Sequence, residues 1–373
     1  MKLTSLVGVI LYNKEYFRRK NKFQISPKMK IGKIIISIIS VTVALFICFL
    51  IFATVTDFKP EEKITLSENN NPDTLKIGSQ FSALIWNIGY CGLDSKMDFF
   101  YDGGKKVITP FKQFKINLQE ITKTLSNYNS IDFIMLQEVD IDSKRSYNNN
   151  QFIKFDSVFN NYASKSFAYN YKVKYVPMPL NNPLGKTNSG LAFFSKYKYS
   201  QSIRIAFPGN YSWPTSIFML DRCFMVNQIP VENGKQLLII NTHNSAYDDG
   251  TLKQQQMDFL KEFLETEYKK GNYIIIGGDW NQTPPNTKLN NAPKRGSLTS
   301  ISPNYLTNWI WITDSTSPTN RYLDTEYNKQ TSSTTIIDFF LVSPNIKPNL
   351  VKTLDYSFKY SDHNPVMVKF TLM

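Results

Sequence analysis

One uninterrupted apolar segment constrains this chain more than any other feature of its sequence. Residues 34–55 read IIISIISVTVALFICFLIFATV and contain no charged residue, no proline and no glycine. As an α-helix with a rise of about 1.5 Å per residue, the segment would be roughly 33 Å long, close to the ~30 Å hydrocarbon core of a bilayer. Helices buried in soluble proteins are rarely apolar on every side over such a length. The segment therefore predicts a transmembrane helix.

The charges on either side of this segment predict its orientation. Residues 1–33 carry nine Lys or Arg side chains and one Glu, whereas Asp57, Glu61 and Glu62 follow the segment. Because positive charge is retained on the cytoplasmic side of a membrane, we expect residues 1–33 to be a cytoplasmic tail and the C-terminal domain to be exported. Most of the net charge of +13 comes from this tail. The charge therefore indicates little about nucleic-acid binding by the rest of the chain.

Removal of the apolar segment as a signal peptide is the alternative interpretation. Against it, the basic region is long, no A-x-A pattern follows, and the apolar segment exceeds the usual length of about 7 to 15 residues. Cys48 follows the bulky Ile47, which disfavours bacterial lipid attachment. We therefore expect an uncleaved signal-anchor over residues 34–55, in direct contact with the lipid bilayer.

The residues after the anchor divide into a polar stretch and a folded domain. Residues 56–79 contain an Asn run and two prolines, which is typical of a linker. The folded domain is then expected over residues 80–373. Three cysteines in the whole chain are too few for a disulfide scaffold. Cys91 and Cys223 would lie in an oxidising compartment, and the sequence leaves open whether they pair.

Short apolar runs alternate with amphipathic stretches throughout the expected domain. Several of these runs are apolar at every position, as strands covered on both faces require. The predicted strands are residues 83–86, 133–136, 190–194, 223–226, 237–240, 273–276, 336–341 and 366–370.

Two amphipathic helices are predicted between these strands. One covers residues 109–125, with Thr109 as the N-cap and Pro110 at the first helical position. The other covers residues 251–268, where apolar side chains recur at helical spacing. Strands interleaved with covering helices predict a layered α/β or α+β domain.

Polar side chains stand where several of the strands end, and they are of types that bind a hard cation. Asn87 and Glu138 each follow a buried strand, and Asp279 and Asn281 follow two glycines. Residues two apart in an extended segment face the same side, so Asp279 and Asn281 can point into one pocket. Oxygen ligands without cysteine suit Mg²⁺, Mn²⁺ or Ca²⁺ rather than structural zinc.

The two histidines of the chain stand at similar places. His243 lies in IINTHNS, and His363 follows Asp362 in YSDHNP. Asp338 lies within the apolar run IIDFFLV, where an ionised carboxylate needs a partner or a metal to offset its burial. A single histidine or buried aspartate is more often structural than catalytic. Their occurrence as a set favours a functional site.

In this order, the motifs WNIG, LQEVD, NTHNS, GGDWN, IDFFLV and SDHNP resemble the endonuclease/exonuclease/phosphatase superfamily. That superfamily includes pancreatic-type deoxyribonuclease, abasic-site endonucleases, neutral sphingomyelinases and inositol-polyphosphate phosphatases. The resemblance extends from about residue 81 to residue 372, and LQE, GDxN and SDH are specific only together. It implies a four-layered sandwich of two central β-sheets flanked by helices, preceded here by the transmembrane helix, and Mg²⁺ (or Mn²⁺ or Ca²⁺) as cofactor.

The resemblance also implies a role for each matching residue. Asn87 and Glu138 match metal-binding residues, and Asp362 matches a further acidic residue near the metal. Asp279 matches the residue that positions or deprotonates the attacking water, and Asn281 matches its neighbour that holds the phosphate.

The remaining matches concern proton transfer and substrate binding. His363 matches the histidine that contacts the scissile phosphate, with Asp338 fixing its tautomer and orientation. His243 falls where many members have a phosphate-contacting histidine. Arg222 in DRC and Ser189 in NSGLAFFSK fit family patterns more loosely, and we expect Arg222 to bind substrate.

Together these inferences predict a monomeric, membrane-anchored, divalent-metal-dependent phosphoester hydrolase that acts by in-line attack of water. Its substrate stays open among a nucleic acid, a phospholipid and a phosphorylated small molecule. Basic side chains compatible with phosphate binding are Lys105, Lys106, Lys144 and Arg145. Tryptophans compatible with a lipid surface are Trp213, Trp309 and Trp311. The alternative from another class is a surface-tethered binding protein whose site is inactive.

Overall fold

The computed structural model describes residues 27–246, 248, 250–287 and 298–373. Helix α1 (Pro27–Val55) contains the apolar segment. Among the described residues it is the one helix whose length and composition suit a membrane span. The predicted tail, as far as residue 26, lies outside the described residues.

The residues Thr56–Met373 form a second unit, which is built on two β-sheets. The first contains, from edge to edge, β1 (Lys63–Glu68), β6 (Gln201–Ala206), β7 (Cys223–Pro230), β8 (Gln236–His243), β9 (Tyr273–Asp279), β13 (Asp338–Val342) and β10 (Ile310–Ile312). The second contains β14 (Ile346–Thr353), β15 (Val366–Leu372), β2 (Gln80–Asn87), β3 (Phe133–Asp140), β5 (Gly185–Ser195) and β4 (Ser164–Val176). A short ribbon pairs β11 (Asn320–Arg321) with β12 (Thr334–Thr335).

Each sheet is mixed and has one parallel pair in its interior. β2 is parallel to β3 in one sheet, and β8 is parallel to β9 in the other. The strand pairs on either side of them are antiparallel. The carboxyl ends of both parallel pairs meet at one edge of the unit, since Asn87 at the end of β2 contacts Asp279 at the end of β9.

The apolar side chains form separate layers between and outside the sheets. Ile85 and Ile239 belong to the cluster between the sheets. Leu260 and Ile121 belong to two further clusters, which pack helices against the outer faces. The covering helices are α2 (Phe111–Asn127), α3 (Gln151–Asp156) and α4 (Thr251–Lys269). This four-layered sandwich confirms the predicted fold class, and every predicted strand coincides with or overlaps an observed one.

The segment predicted as a linker is in part a strand. Residues 63–68 form β1, which pairs with β6 along the edge of the first sheet. Leu75 is buried, and its backbone N–H donates to the carbonyl oxygen of Pro230. The sequence of residues 56–79 does not indicate strand β1, because an edge strand that leaves its side chains exposed or partly exposed can be polar in composition.

The start of α2 also differs from the prediction. The N-cap is Pro110, and no side chain caps the helix. The Thr109 hydroxyl donates instead to the carbonyl oxygen of Gly92. Cys91 and Cys223 are both free and buried, so these two thiols are not paired with each other.

A bulge in β3 is held by amides that cross between the sheets. The register of β3 on β5 shifts between Leu136 and Val139, so two β3 residues oppose one. Asn241, on β8 of the opposite sheet, donates through Nδ2 to the carbonyl oxygens of Leu136 and Ala192, each at 3.1 Å. Gln137 donates to Oδ1 of Asn241 at 2.6 Å. Side-chain hydrogen bonds from the opposite sheet therefore satisfy the carbonyl oxygens at the gap in the ladder.

We expect Asn241→Leu to lower the free energy of unfolding by about 3 kcal/mol, because it leaves a buried amide and two buried carbonyl oxygens without their partner. Urea unfolding of the full chain in detergent, followed by circular dichroism, measures this. The matched control is Asn349→Leu, since Asn349 is exposed and bonds only Thr371 at the surface, and it should cost less than about 0.5 kcal/mol. Equal losses in both variants would contradict the assigned role of Asn241.

Candidate active site

The residues singled out in the sequence converge at the edge where the two parallel pairs end. Asn87, His243 and Asp279 are the last residues of β2, β8 and β9. Asp338 begins β13 and is paired across the ladder with Asp279. Glu138 lies in the bulge of β3, with φ 54°. Because β2 and β3 belong to one sheet and the other strands to its partner, the site lies on the seam between the sheets.

Asn87 joins two carboxylates that would otherwise repel each other. Its Nδ2 donates to Oδ2 of Asp279 at 2.9 Å and lies 3.4 Å from Oε1 of Glu138. Gly278 allows β9 to reach this position, since a Cβ there would lie 2.1 Å from the carbonyl oxygen of Thr242. The motif GGDWN therefore combines close strand packing with a carboxylate aimed at the seam.

His363 is held between a carboxylate and an amide. Its Nδ1 lies 2.8 Å from Oδ2 of Asp338, and its Nε2 lies 3.0 Å from Nδ2 of Asn320. Burial opposes a charged ring, but the carboxylates of Asp338, Asp362 and Asp279 together raise the pKa of His363 well above its usual value. Burial raises the pKa of Asp338 to about 6. The pair therefore holds a proton on Nδ1 and fixes the tautomer of the ring.

The surroundings of His243 shift its pKa in the opposite direction. Its Nε2 lies 3.6 Å from Oδ2 of Asp279 and 3.9 Å from Oε1 of Glu138. Burial, together with the positive charges of Arg222 and His363, lowers the pKa of His243 well below its usual value. The surroundings thus shift the pKa values of the two histidines in opposite directions, although both rings lie against the carboxylate of Asp279.

The other predicted residues lie at the same place. Asp362 is 3.8 Å from Nε2 of His363, and burial raises its pKa to about 7. Asn281 donates through its backbone N–H to Oδ1 of Asp279 and through its side chain to the carbonyl oxygen of Asn244, both at 2.9 Å. Arg222 lines the cavity described below. All the predicted site residues are therefore brought together, and the Asn281 side-chain amide is bonded to the main chain just after β8.

A cavity of about 260 Å³ opens beside these side chains. Away from the carboxylates, much of its wall is apolar or aromatic. Examples of these lining residues are Leu93, Phe99, Tyr171, Leu184 and Leu220. The lining of the cavity therefore combines charged side chains of the seam with apolar and aromatic ones.

Most of the basic side chains considered for phosphate binding are paired within the protein. Lys106 forms ion pairs with Asp98 and Glu326. Arg145 is buried and donates twice to Asp140, at 2.9 and 3.0 Å. Their positive charge is thus largely neutralised locally.

The remaining basic and aromatic candidates differ in exposure. Lys144 donates to a backbone carbonyl oxygen, and Lys105 is exposed. Of the three tryptophans considered for a lipid surface, Trp213 is 60% exposed, Trp309 is buried and Trp311 is partly buried. Trp213 is therefore the one of the three that presents most of its ring to solvent.

Asn320 is a site residue that sequence reasoning missed. It belongs to the short ribbon, and its main chain forms a bridge to His363. The stretch TNRYLD around it carries no motif of the resemblance, so only the tertiary fold places its amide against the imidazole.

The donor chemistry fits a hard divalent cation at Glu138. Side-chain oxygens of Glu138, Asp362 and Asn87 form an all-oxygen set of the kind that Mg²⁺ prefers. Glu138 is 24% exposed, more than the carboxylates of Asp279 or Asp362. Oδ1 of Asn87 accepts from the Gly89 N–H at 3.0 Å, so ligation through this oxygen requires the amide to turn over.

A second group of donors, on Asp279, Asp338 and His363, also lies within 4.8 Å of one another. Asp338 and His363 already bond each other, and Asp279 already accepts from Asn87. Oδ1 of Asp338 has no hydrogen-bond partner, but Asp338 is 1% exposed, whereas Glu138 is 24% exposed and open to the cavity. Glu138 is therefore the better centre for a cation.

Comparison with known proteins agrees with this geometry. Residues 84–363 match the model of the endonuclease/exonuclease/phosphatase family. A solved endonuclease/exonuclease/phosphatase structure from Beutenbergia cavernae has a TM-score of 0.54 at 13% identity, over 79% of this chain and 72% of that one. Another, from Bacteroides vulgatus, has a TM-score of 0.52 at 15% identity, over 79% and 100%. The comparison with curated proteins gave no match.

The ion pair of His363 yields a prediction that needs no substrate. Asp338→Asn should lower the pKa of His363, because it removes the closest of the carboxylates that favour the imidazolium. The chain has two histidines, so NMR of ¹³C-labelled histidine resolves both titrations and His243→Gln assigns them. The matched control is Asp156→Asn, which removes a surface carboxylate paired with Lys165. An unchanged titration of His363 in Asp338→Asn would contradict the electrostatic account.

Proposed function

The chain belongs to the endonuclease/exonuclease/phosphatase family, and on that premise we propose that it is a divalent-metal-dependent phosphoester hydrolase tethered to a membrane. The observation that carries the proposal is the convergence of Asn87, Glu138, Asp279 and the His363–Asp338 pair on one cavity. These groups supply a cation site, an acceptor for a water proton and an imidazolium. They can neutralise developing charge, orient the attacking water and assist the leaving oxygen in the hydrolysis of a phosphoester.

Each of these side chains has a distinct task in the proposed reaction. A bound cation, held by Glu138 with Asp362 and Asn87, would neutralise charge on the phosphoryl oxygens. Asp279 orients a water for in-line attack and accepts one of its protons as the bond from oxygen to phosphorus forms. His363 contacts the phosphoryl group through Nε2, while Asp338 keeps the proton on Nδ1. The bond from phosphorus to the leaving oxygen then breaks, and that oxygen takes the Nε2 proton of His363. The proton that Asp279 accepted from water restores the His363 proton, since the two groups lie 3.8 Å apart.

The contrast between the two histidines supports a division of roles. The pKa of His363 is raised, so an imidazolium can stabilise negative charge that grows on the phosphoryl group once the substrate displaces the Asn320 amide, whose Nδ2 faces Nε2 in the free protein. The pKa of His243 is lowered, so its neutral ring donates a single hydrogen bond to an oxygen of the same group. Arg222 adds a positive charge on the cavity wall near His243.

Removal of either central residue should abolish hydrolysis. We expect Asp279→Asn and His363→Ala each to lower kcat by at least about 10³-fold, because each removes a group that acts on charge formed in the transition state. The full chain in detergent is assayed on plasmid DNA, sphingomyelin and inositol phosphates, with Mg²⁺ or EDTA. Asp156→Asn, at the surface pair with Lys165, is the matched control and should stay within about twofold of the unmodified chain.

Three outcomes of this assay would bear on the proposal. Hydrolysis that EDTA abolishes and Mg²⁺ restores, and that both variants lose, would support it. Full activity in Asp279→Asn and His363→Ala would overturn it. A folded chain that hydrolyses none of the three substrates would favour the inactive, surface-tethered binding protein.

We also propose that α1 is an uncleaved signal-anchor with the catalytic unit on the extracytoplasmic side. Support comes from its apolar composition and from the excess of basic residues before it. The acidic residues Asp57, Glu61 and Glu62 follow the apolar segment, and the scarcity of positive charge there agrees with that orientation.

Cysteine labelling tests this topology. Leu180 is 84% exposed, so Leu180→Cys should react with a membrane-impermeant maleimide on intact cells. Ser5→Cys, in the basic tail, should react only after the cells are permeabilised. The unmodified chain is the control, because Cys91 and Cys223 are buried. The reverse pattern, or loss of the N-terminal residues from the mature chain, would contradict the proposal.

A further inference from the structure

Three buried polar side chains on the cavity wall have no hydrogen-bond partner. Tyr90, Asn170 and Ser189 are each no more than 2% exposed and line the cavity. The Tyr90 hydroxyl, Nδ2 of Asn170 and Oγ of Ser189 nevertheless make no hydrogen bond. Buried polar atoms in proteins are nearly always paired, and each unpaired one costs stability. Three such residues on one cavity wall, in addition to His243 with its unpaired Nδ1, point to a ligand that satisfies them.

Strand pairing places two of these side chains beside the proposed cation site. Ser189 on β5 is paired with Asp140 of β3, two residues after Glu138. It is also paired with Tyr171 of β4. Asn170 is the extra residue of a bulge in β4, because the register shifts between Tyr169 and Tyr171. Such a bulge changes which side of the strand a side chain faces, and here Asn170 and Tyr171 are both buried.

A second glycine makes this bulge possible. A Cβ on Gly190 would lie 2.1 Å from the carbonyl oxygen of Ala168, so β4 and β5 approach closely only without a side chain there. This accounts for the Ser-Gly pair in NSGLAFFSK: Ser189 supplies a polar atom to the cavity and Gly190 admits the neighbouring strand.

Tyr90 reaches the cavity from a strained turn. Gly89, Tyr90 and Cys91 have φ values of 50°, 42° and 58°, a left-handed conformation that is costly for the two residues that are not glycine. The ring of Tyr90 lies 3.7 Å from the guanidinium carbon of Arg145. Packing on this cation fixes the ring, and the hydroxyl is left without a partner.

The charge around these atoms favours an uncharged ligand group. Arg145 is neutralised by two hydrogen bonds to Asp140. Burial raises the pKa of Tyr90, and the nearby carboxylates of Glu138, Asp362 and Asp140 raise it further against the opposing effect of Arg145. A second anionic group would meet the carboxylate of Asp140 and an Arg145 that is already committed to it, whereas a hydroxyl can both donate to and accept from the three free atoms.

We propose that Tyr90, Asn170 and Ser189 form a second subsite, the hydroxyl subsite, which binds an uncharged, hydroxyl-bearing part of the substrate next to the scissile phosphate. This inference rests on the proposed function for the identity of the neighbouring phosphoryl site. It favours a phosphodiester whose alcohol carries neutral hydroxyl groups over a polyphosphorylated small molecule.

Three phosphodiester probes of equal carbon length test the hydroxyl subsite. They are methyl propyl phosphate, methyl 2,3-dihydroxypropyl phosphate and methyl 3-phosphopropyl phosphate. Dissociation constants are measured by ³¹P NMR titration of the full chain in detergent with Mg²⁺, in the Asp279→Asn background so that no probe is consumed. We expect the dihydroxypropyl probe to bind about tenfold more tightly than the propyl probe, and the phosphopropyl probe to bind no better than the propyl one.

Tyr90→Phe and Ser189→Ala should each reduce the tenfold preference to less than threefold. Neither should lower the Tm, because each removes a hydroxyl that bonds nothing within the protein. The matched control is Ser202→Ala: the Ser202 hydroxyl is buried between the sheets and bonded at 2.8 Å to both Ser166 and Asn227. That variant should lower the Tm and keep the preference.

Two results would overturn the hydroxyl subsite. One is a ratio below twofold between the dissociation constants of the propyl and dihydroxypropyl probes when Tyr90, Asn170 and Ser189 are intact. The other is tightest binding of the phosphopropyl probe. Because these are binding measurements, they are independent of hydrolysis. A chain that shows the preference but hydrolyses nothing would contradict the proposed function and leave the subsite standing. A chain that hydrolyses phosphodiesters but binds the dihydroxypropyl and propyl probes equally would support the proposed function and contradict the hydroxyl subsite.

Discussion

The amide of Asn241 is the contact on which the arrangement of the site depends. It crosses from β8 to β3 and satisfies the carbonyl oxygens exposed where the ladder between β3 and β5 is interrupted. That interruption gives Glu138 its left-handed backbone and turns the carboxylate away from the ladder. Without a polar group from the opposite sheet, the bulge would leave buried carbonyl groups unsatisfied and a regular strand would be favoured. The position of the proposed cation ligand is therefore set by contact between the sheets.

Charge compensation at the seam follows a consistent pattern. Two buried carboxylates are placed against cationic partners: Asp140 against Arg145, and Asp338 against His363. Asn87 separates Asp279 from Glu138 by donating toward both. Charge compensation is not complete hydrogen bonding, however, because Oδ1 of Asp338 and Nδ1 of His243 lack partners, as do the polar atoms of Tyr90, Asn170 and Ser189 on the cavity wall. The site therefore balances its charges internally and still presents unpaired polar atoms.

Strands that are apolar throughout, such as residues 237–240, were sufficient to predict a layered α/β or α+β domain, and the resemblance of the ordered motifs supplied the four-layered sandwich. The sequence also identified side chains that the fold brings together, since polar groups at strand ends keep a local signature such as GGDWN. It missed β1, which buries few of its residues, and it assigned Thr109 a cap that the structure does not contain. Asn320 and Asn170 could not be recognised, because a ribbon contact and a strand bulge position them and neither leaves a pattern in the sequence.

The position of the site on the seam has a consequence for thermal behaviour. Asn87 and Glu138 come from one sheet, whereas His243, Asp279 and Asp338 come from the other. A slip of one sheet past the other by about 1 Å would misalign groups whose rate contribution can depend on such distances by about 10²-fold. Heating that only loosens the contact between the sheets would leave both of them folded but inactive. Inactivation would then precede melting, and catalysis would report on the sheet interface more sensitively than any spectroscopic measure of secondary structure.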